Sequence, residues 1–253
     1  MHQDKLIDFP LSTGTYSSFV EHIISMAGRH SSSYICVANV HMFIEAYKDR
    51  EFFQVIKRAN IVTPDGLPLT WGLSMCKGIK QDRVAGMDLL PDLLKMMAKK
   101  KLSAFFYGGT PSLLSKTELF LKRRFPLLKL AGFYSPPYRN LTKEESAEII
   151  NTINLTNADI VFVVLGCPKQ EKWMASMQGK INSCLIGIGG ALPVMVGVQK
   201  RAPGWMQRAG LEWLFRLCQE PIRLGKRYFV TNSLFIYLLF KELYKNLKNS
   251  FSK

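Results

Sequence analysis

The stretch that decides the fold is Asp159-Ile160-Val161-Phe162-Val163-Val164-Leu165-Gly166-Cys167-Pro168-Lys169-Gln170-Glu171. An apolar, β-branched run of strand length stops at Gly-Cys-Pro and gives way at once to a dense polar cluster. A strand without polar alternation reads as buried on both faces, as in a parallel sheet covered by helices. The same punctuation recurs on either side. Candidate strands Tyr34–Ala38, Asn60–Thr63, Ala104–Tyr107 and Leu185–Ile188 run into Asn39-Val40-His41, Pro64-Asp65-Gly66, Gly108-Gly109-Thr110 and Gly189-Gly190. Helices are expected over Tyr16–Arg29, Met42–Lys48, Asp88–Lys99, Ser112–Arg124, Thr142–Asn154 and much of the chain after Trp205.

Alternating strands and helices predict an α/β fold: a mostly parallel, Rossmann-like sheet flanked by helices. The expected division is an α/β domain over 1–198 and a basic, amphipathic helical appendage over 199–253. Ligands of open α/β sheets collect at the carboxyl ends of the strands. The five segments that follow the candidate strands are therefore the expected wall of one site.

The 253 residues suffice for a sizeable core, and 47% hydrophobic with 21% charged content is ordinary for a globular chain. The net charge of +15 is unevenly spread: from Lys200 onward there are 11 Lys and Arg against 3 Glu. Such a basic end implies an anionic partner, whether lipid, phosphorylated substrate or nucleic acid. Five scattered cysteines without Cys-x-x-Cys argue against a disulfide framework or zinc site and fit a reducing compartment. The start, Met1-His2-Gln3-Asp4-Lys5, shows no apolar segment of a secretory signal.

The longest lipid-like run, Tyr228–Phe240, has 13 residues, short of the roughly 20 that span a bilayer. It is expected to lie on a membrane or to pack in a core. Beyond it, Phe240, Leu243, Tyr244, Leu247 and Phe251 share one helical face, with Lys241, Lys245 and Lys248 beside it. That composition suits an interfacial helix or, equally, a last helix docked on the body with a solvated Lys edge.

Several residues at the strand ends could carry chemistry. Asp65, between Pro64 and Gly66, is either the N-cap of a helix starting near Leu67 or a carboxylate free to take a proton from a hydroxyl. Asn39 is a turn residue or a ligand for a sugar hydroxyl. Arg83 precedes a helix with Asp88 as its candidate cap and offers a fork to phosphate. Gly108-Gly109 and Gly189-Gly190 let backbone N–H groups approach a phosphate or nucleotide. Gln170 and Glu171 are placed to bond ribose or sugar hydroxyls, or simply to open a helix, where Glu171 favours the dipole.

Absences narrow the chemistry further. The four His (2, 22, 30 and 41) include no pair at metal-ligand spacing, and no Asp-x-Asp occurs. A diphosphate leaving group would then be stabilised by Arg, Lys and backbone N–H groups. Neither a metal nor a cofactor is expected.

These segments, in order from about Tyr34 to Tyr228, resemble glycosyltransferase family 26, the WecG/TagA/CpsF type. The matching motifs are Ala38-Asn39, Thr63-Pro64-Asp65-Gly66, Arg83-Val84-Ala85-Gly86-Met87-Asp88, Tyr107-Gly108-Gly109 and Gly132-Phe133-Tyr134-Ser135-Pro136-Pro137-Tyr138. They continue with Leu165-Gly166-Cys167-Pro168-Lys169-Gln170-Glu171, Gly187-Ile188-Gly189-Gly190, and Arg201-Ala202-Pro203 through Glu212-Trp213-Leu214-Phe215-Arg216-Leu217, Glu220-Pro221, Arg223 and Arg227-Tyr228.

The resemblance implies an inverting transferase that is peripheral on the cytoplasmic face of the membrane. It would move a sugar from a UDP-sugar donor to a polyprenyl-diphosphate-linked acceptor sugar in bacterial cell-surface polysaccharide synthesis. It implies Asp65 as general base and Asn39, Arg83 and Gln170 in the substrate pocket, with Tyr138 in a matched motif. It also implies a C-terminal appendage that docks on an anionic membrane surface and brings Arg216, Arg223 and Arg227 over a diphosphate. The chain departs from the family pattern at Val37, where many members have Thr, and at Pro193, where many have Asp.

Two other classes compete. One is a basic nucleic-acid-binding module, disfavoured because the charge sits among Leu, Phe and Trp and no nucleic-acid motif appears. The other is a catalytically silent relative acting as a membrane-associated binding protein. A homo-oligomer is compatible with all of these readings.

Overall fold

A computed structural model describes residues 1–251, with side chains through 249. A short antiparallel hairpin, β1 (His2–Leu6) and β2 (Phe9–Thr13), precedes α1 (Tyr16–Ala27). Next come β3 (Ser33–Ala38), α2 (Val40–Lys48), α3 (Arg50–Lys57), β4 (Ile61–Pro64), α4 (Leu67–Lys77) and α5 (Gly86–Lys100). The second half holds β5 (Ser103–Gly108), α6 (Pro111–Arg124), β6 (Lys129–Tyr134), α7 (Lys143–Leu155), β7 (Ile160–Val164), α8 (Lys169–Met177), β8 (Cys184–Gly187) and α9 (Ala191–Met195). The chain closes with α10 (Gly204–Arg208), α11 (Glu212–Gln219) and α12 (Pro221–Phe251).

Six strands form one sheet in the order β4-β3-β8-β7-β5-β6, and every pair is parallel. Period-two alternation divides each inner strand between two apolar layers. On one face lie Tyr34, Cys36, Phe105, Tyr107, Val161 and Val163, covered by α2, α3, α7 and α8. On the other lie Ile35, Val37, Ala104, Phe106, Ile160 and Phe162, covered by α1, α5, α6 and α9. Burial on both faces is why these strands read as continuous apolar runs.

All five expected strands are present, each within a residue or so of its expected bounds. The edge strand β6 and the β1–β2 hairpin were not expected. In β6 a Cβ on Gly132 would come 2.7 Å from the Phe105 ring, so glycine there lets the edge strand close on its neighbour. The hairpin turns through Ile7 and Asp8, both at positive φ.

The 31 residues of α12 change environment along their length. Its first turns face the carboxyl ends of the sheet. Its middle enters the core through Thr231, Phe235 and Leu238. Phe235 packs edge-on against Phe43 of α2, with centroids 5.2 Å apart. Beyond that, Phe240, Tyr244 and Leu247 are exposed. The side chain of Phe251 and residues 252–253 lie outside the described residues, so the expected apolar face is seen only as far as Leu247. Among the described residues no helix is long and apolar enough to cross a membrane.

Candidate active site

The carboxyl ends of β3, β4, β5, β7 and β8 open into one cavity of about 1390 Å³. Its wall includes Asn39, Asp65, Gly109, Gly166, Gly189 and Gly190, each in a segment that follows a strand. The C-terminal helices close one side with Arg216, Glu220, Arg223 and Arg227. Tyr138, Lys169 and Trp173 also line the cavity.

Asp65 is partly buried directly after β4. It does not cap α4: Gly66 holds that position, with no side-chain cap hydrogen bond among the described residues. The carboxylate instead accepts the N–H of Gly86 at the start of α5. Desolvation pushes its pKa up to about 6, against the lowering pull of Arg83, the Gly86 N–H and Arg216; Glu212 adds to the rise. A carboxylate poised there is charged at neutral pH yet basic enough to take a proton.

Asn39 caps α2, its Oδ1 accepting the N–H of Met42 at 3.1 Å, and also lines the cavity. The turn and ligand readings of this residue are therefore compatible. Gln170 is nine-tenths buried: Oε1 accepts from Gly166 N at 3.2 Å and Nε2 donates to Glu171 Oε1 at 2.7 Å. It lies against bare glycine at the end of β8, where a Cβ on Gly187 would be 2.9 Å from Nε2.

Glu171 corrects an expectation. It is fully buried, away from the cavity wall, and cannot bond a sugar hydroxyl there. Among the described residues its Oε2 has no hydrogen-bond partner, and burial raises its pKa to about 7, opposed by hydrogen bonds from Gln170, its own backbone N–H and Cys167.

Arg83 is a second correction. Its guanidinium is forked between Glu212 of α11 and Asp88 Oδ2, the latter at 2.9 Å, and it does not line the cavity. Asp88 is not the cap of α5, whose N-cap is Ala85; its carboxylate takes Arg83 and Arg201 instead. Gly108 is a third, because at φ +103° it lets the backbone pass Val164 O, which a Cβ would meet at 2.6 Å, and it is absent from the wall.

Gly189 and Gly190 both line the cavity. The Arg216 guanidinium lies so close over Gly190 that a Cβ there would collide with Nη2. Arg223 pairs with Glu220, which also accepts from Gln199 Nε2 at 3.1 Å. Among the described residues Arg227 Nε is buried without a hydrogen-bond partner. Fully exposed Tyr138 lies at the mouth with Lys169 Nζ 5.0 Å from its ring centroid. Val37 and Pro193, the two departures from the family pattern, both line the cavity.

Sequence reasoning overlooked several wall residues. His41 sits in the first turn of α2, its pKa lowered by burial and then by Arg227. Trp173 stacks on Tyr107 with centroids 4.0 Å apart. His41 was within reach, two residues after Asn39 at a strand end. Nothing in sequence signals the Trp173 contact, which depends on how α8 docks on β5.

The arrangement gathers the basic carboxylate of Asp65 and the C-terminal guanidiniums of Arg216, Arg223 and Arg227 around a cavity large enough for two substrates. It suits transfer between a phosphorylated donor and a hydroxyl acceptor. Residues 5–249 match the model of the glycosyl transferase WecG/TagA/CpsF family. A Bacillus subtilis strain 168 protein named N-acetylglucosaminyldiphosphoundecaprenol N-acetyl-beta-D-mannosaminyltransferase is 30% identical over 225 residues, covering 88% of this chain and 86% of its own. A Bacillus spizizenii protein of the same name is 32% identical over 209 residues, or 82% and 79% of the two chains. One from Staphylococcus aureus strain MW2 is 26% identical over 215 residues, or 84% and 83%.

Proposed function

Because the chain belongs to the WecG/TagA/CpsF glycosyltransferase family, we propose that it moves a sugar from a UDP-sugar to a polyprenyl-diphosphate-linked acceptor, with inversion and without a metal. The names of its relatives suggest N-acetylmannosamine as the sugar and N-acetylglucosaminyl-diphosphoundecaprenol as the acceptor, in cell-wall polymer synthesis. The observation that carries this reading is that Asp65 lines one cavity together with Arg216, Arg223 and Arg227.

The donor lies across the strand ends. The acceptor hydroxyl reaches Asp65, which removes its proton as the oxygen attacks the anomeric carbon from the face opposite UDP. The bond from that carbon to the UDP oxygen breaks, and its electron pair leaves with the diphosphate. Arg216, Arg223 and Arg227 stabilise the charge that develops there and on the acceptor diphosphate. Asn39 and Gln170 orient sugar hydroxyls. Lipid docking falls to exposed Phe240, Tyr244 and Leu247 with neighbouring Lys241 and Lys245, on the inner face of the cell membrane.

The test is UDP release from a panel of UDP-sugars with a short-chain polyprenyl-diphosphate-N-acetylglucosamine acceptor in EDTA. Acceptor-dependent release from one donor is expected. Release that requires added divalent cation would overturn the metal-free reading. No release with any donor, together with no UDP binding by calorimetry, would overturn the transferase assignment.

A further inference from the structure

Arg83 and Glu212 join the loop before α5 to the first turn of α11 by an ion pair, and neither lines the cavity. Around them a ring closes. Asp88 takes Arg83 at 2.9 Å and also binds Arg201, whose Nε lies 3.9 Å from Glu212. Two guanidiniums and two carboxylates thereby tie α5 to the segment entering α11. Arg83 and Glu212 are only 18% and 20% exposed, so solvent screens the pair incompletely.

Glu212 and Arg216 are four positions apart, which puts the two on one side of α11. Arg216 is the residue that lies over Gly190 in the cavity wall. The Arg83 guanidinium is forked between two carboxylates and stands outside the cavity wall, where it is held by protein partners rather than turned toward a phosphate. The geometry points to Arg83 and Glu212 as a pair of positioning residues. They hold α11 so that Arg216 reaches the substrate diphosphate, and Arg83 does not itself bind phosphate. This rests on the reading of Arg216 as a diphosphate ligand.

The experiment is a double-mutant cycle on the full chain with R83Q, E212Q, the double variant and R216Q. It reads kcat, KM for the acceptor and the pH–rate profile. R83Q and E212Q are each expected to lower kcat about tenfold, with the double no worse than the more severe single. E212Q added to R216Q is expected to cost nothing further.

The pH profile supplies a readout that loosened structure would not. The charged groups facing Asp65 are Arg83, Glu212 and Arg216. Removing Glu212's charge moves the acid limb to lower pH, and removing Arg83's moves it to higher pH. The rate losses therefore agree while the limbs shift in opposite directions.

Additive losses in the double variant, or a damaging R83Q beside a silent E212Q, would overturn the assignment and return Arg83 to the substrate. A silent R216Q in an active enzyme would overturn both this assignment and the Arg216 reading beneath it. If R83Q fails to fold, R83K and E212D carry the same cycle.

Discussion

The guanidinium of Arg216 occupies the space that a side chain at Gly190 would need. Gly190 has φ −68° and ψ −4°, a conformation open to any residue, so its lack of a side chain serves this contact rather than the backbone. The glycine after β8 and the arginine of α11 are complementary halves of one wall.

Gly190→Ala isolates that contact, since alanine adopts the same backbone without strain. Arg216 must move by an ångström or more, and misplacement on that scale costs up to about a hundredfold in rate. The expected outcome is a fall in kcat with little change in melting temperature. Steady-state kinetics beside a thermal melt checks it. Unchanged kcat would mean that Arg216 has no fixed duty at that spot.

Asp65→Asn removes the base while keeping its shape. Turnover is expected to fall by about 10²- to 10⁴-fold, the range of general-base catalysis, with UDP binding by calorimetry kept. In the unsubstituted enzyme the rate should rise with pH through about 6, as Asp65 loses its proton. A flat profile between pH 5 and 7 would exclude Asp65 as the titrating base.

Glu171→Gln tests the buried carboxyl beneath Gln170. Its folded pKa, near 7, exceeds the usual carboxylate value. The folded state therefore holds the proton more tightly than the unfolded state, and stability is lost as pH rises from about 4.5 to about 7. Glutamine keeps the acceptor for Gln170 Nε2 and carries no charge. The variant should match the parent near pH 4.5 and exceed it at pH 8 by up to about 3 kcal/mol. Denaturant melts at both pH values decide this, and an equal difference at both would refute it.

Along α12, two substitutions should separate core from surface. Phe235→Ala removes a buried ring set edge-on to Phe43 and is expected to cost about 3–5 kcal/mol of stability. Replacing exposed Phe240, Tyr244 and Leu247 by Ser should leave the melt unchanged and weaken sedimentation with anionic liposomes at least about tenfold. Undiminished liposome binding would place the lipid contact elsewhere.

The layout of the site was legible wherever chemistry is punctuated locally. Pro64-Asp65-Gly66 and Gly166-Cys167-Pro168 mark strand ends whatever the rest of the chain does, and five such marks define one edge of a parallel sheet. What escaped depends on distant partners. Arg83 reads as a phosphate fork until Glu212, 129 residues away, is seen holding it. Glu171 looks like a surface cap beside Lys169 and Lys172, and only the docking of α8 against β3 and β7 buries it. β6 was missed because an edge strand is half-buried and lacks a continuous apolar run. The hairpin was missed because His2-Gln3-Asp4-Lys5 is polar and its register is set by β2.

Because α12 runs unbroken from the cavity through the core to the surface, the damage done by shortening the chain is graded by where it stops. Loss of the segment after Phe240 strips exposed Tyr244, Leu247 and lysines, together with the hydrogen bond from Asn246 to Cys76 O. A stop before Phe235 also removes the wedge against Phe43, and a stop before Arg223 takes two guanidiniums from the cavity as well. A premature stop codon late in this gene would therefore spare turnover on a soluble acceptor analogue, whereas one only a few dozen bases earlier would abolish it.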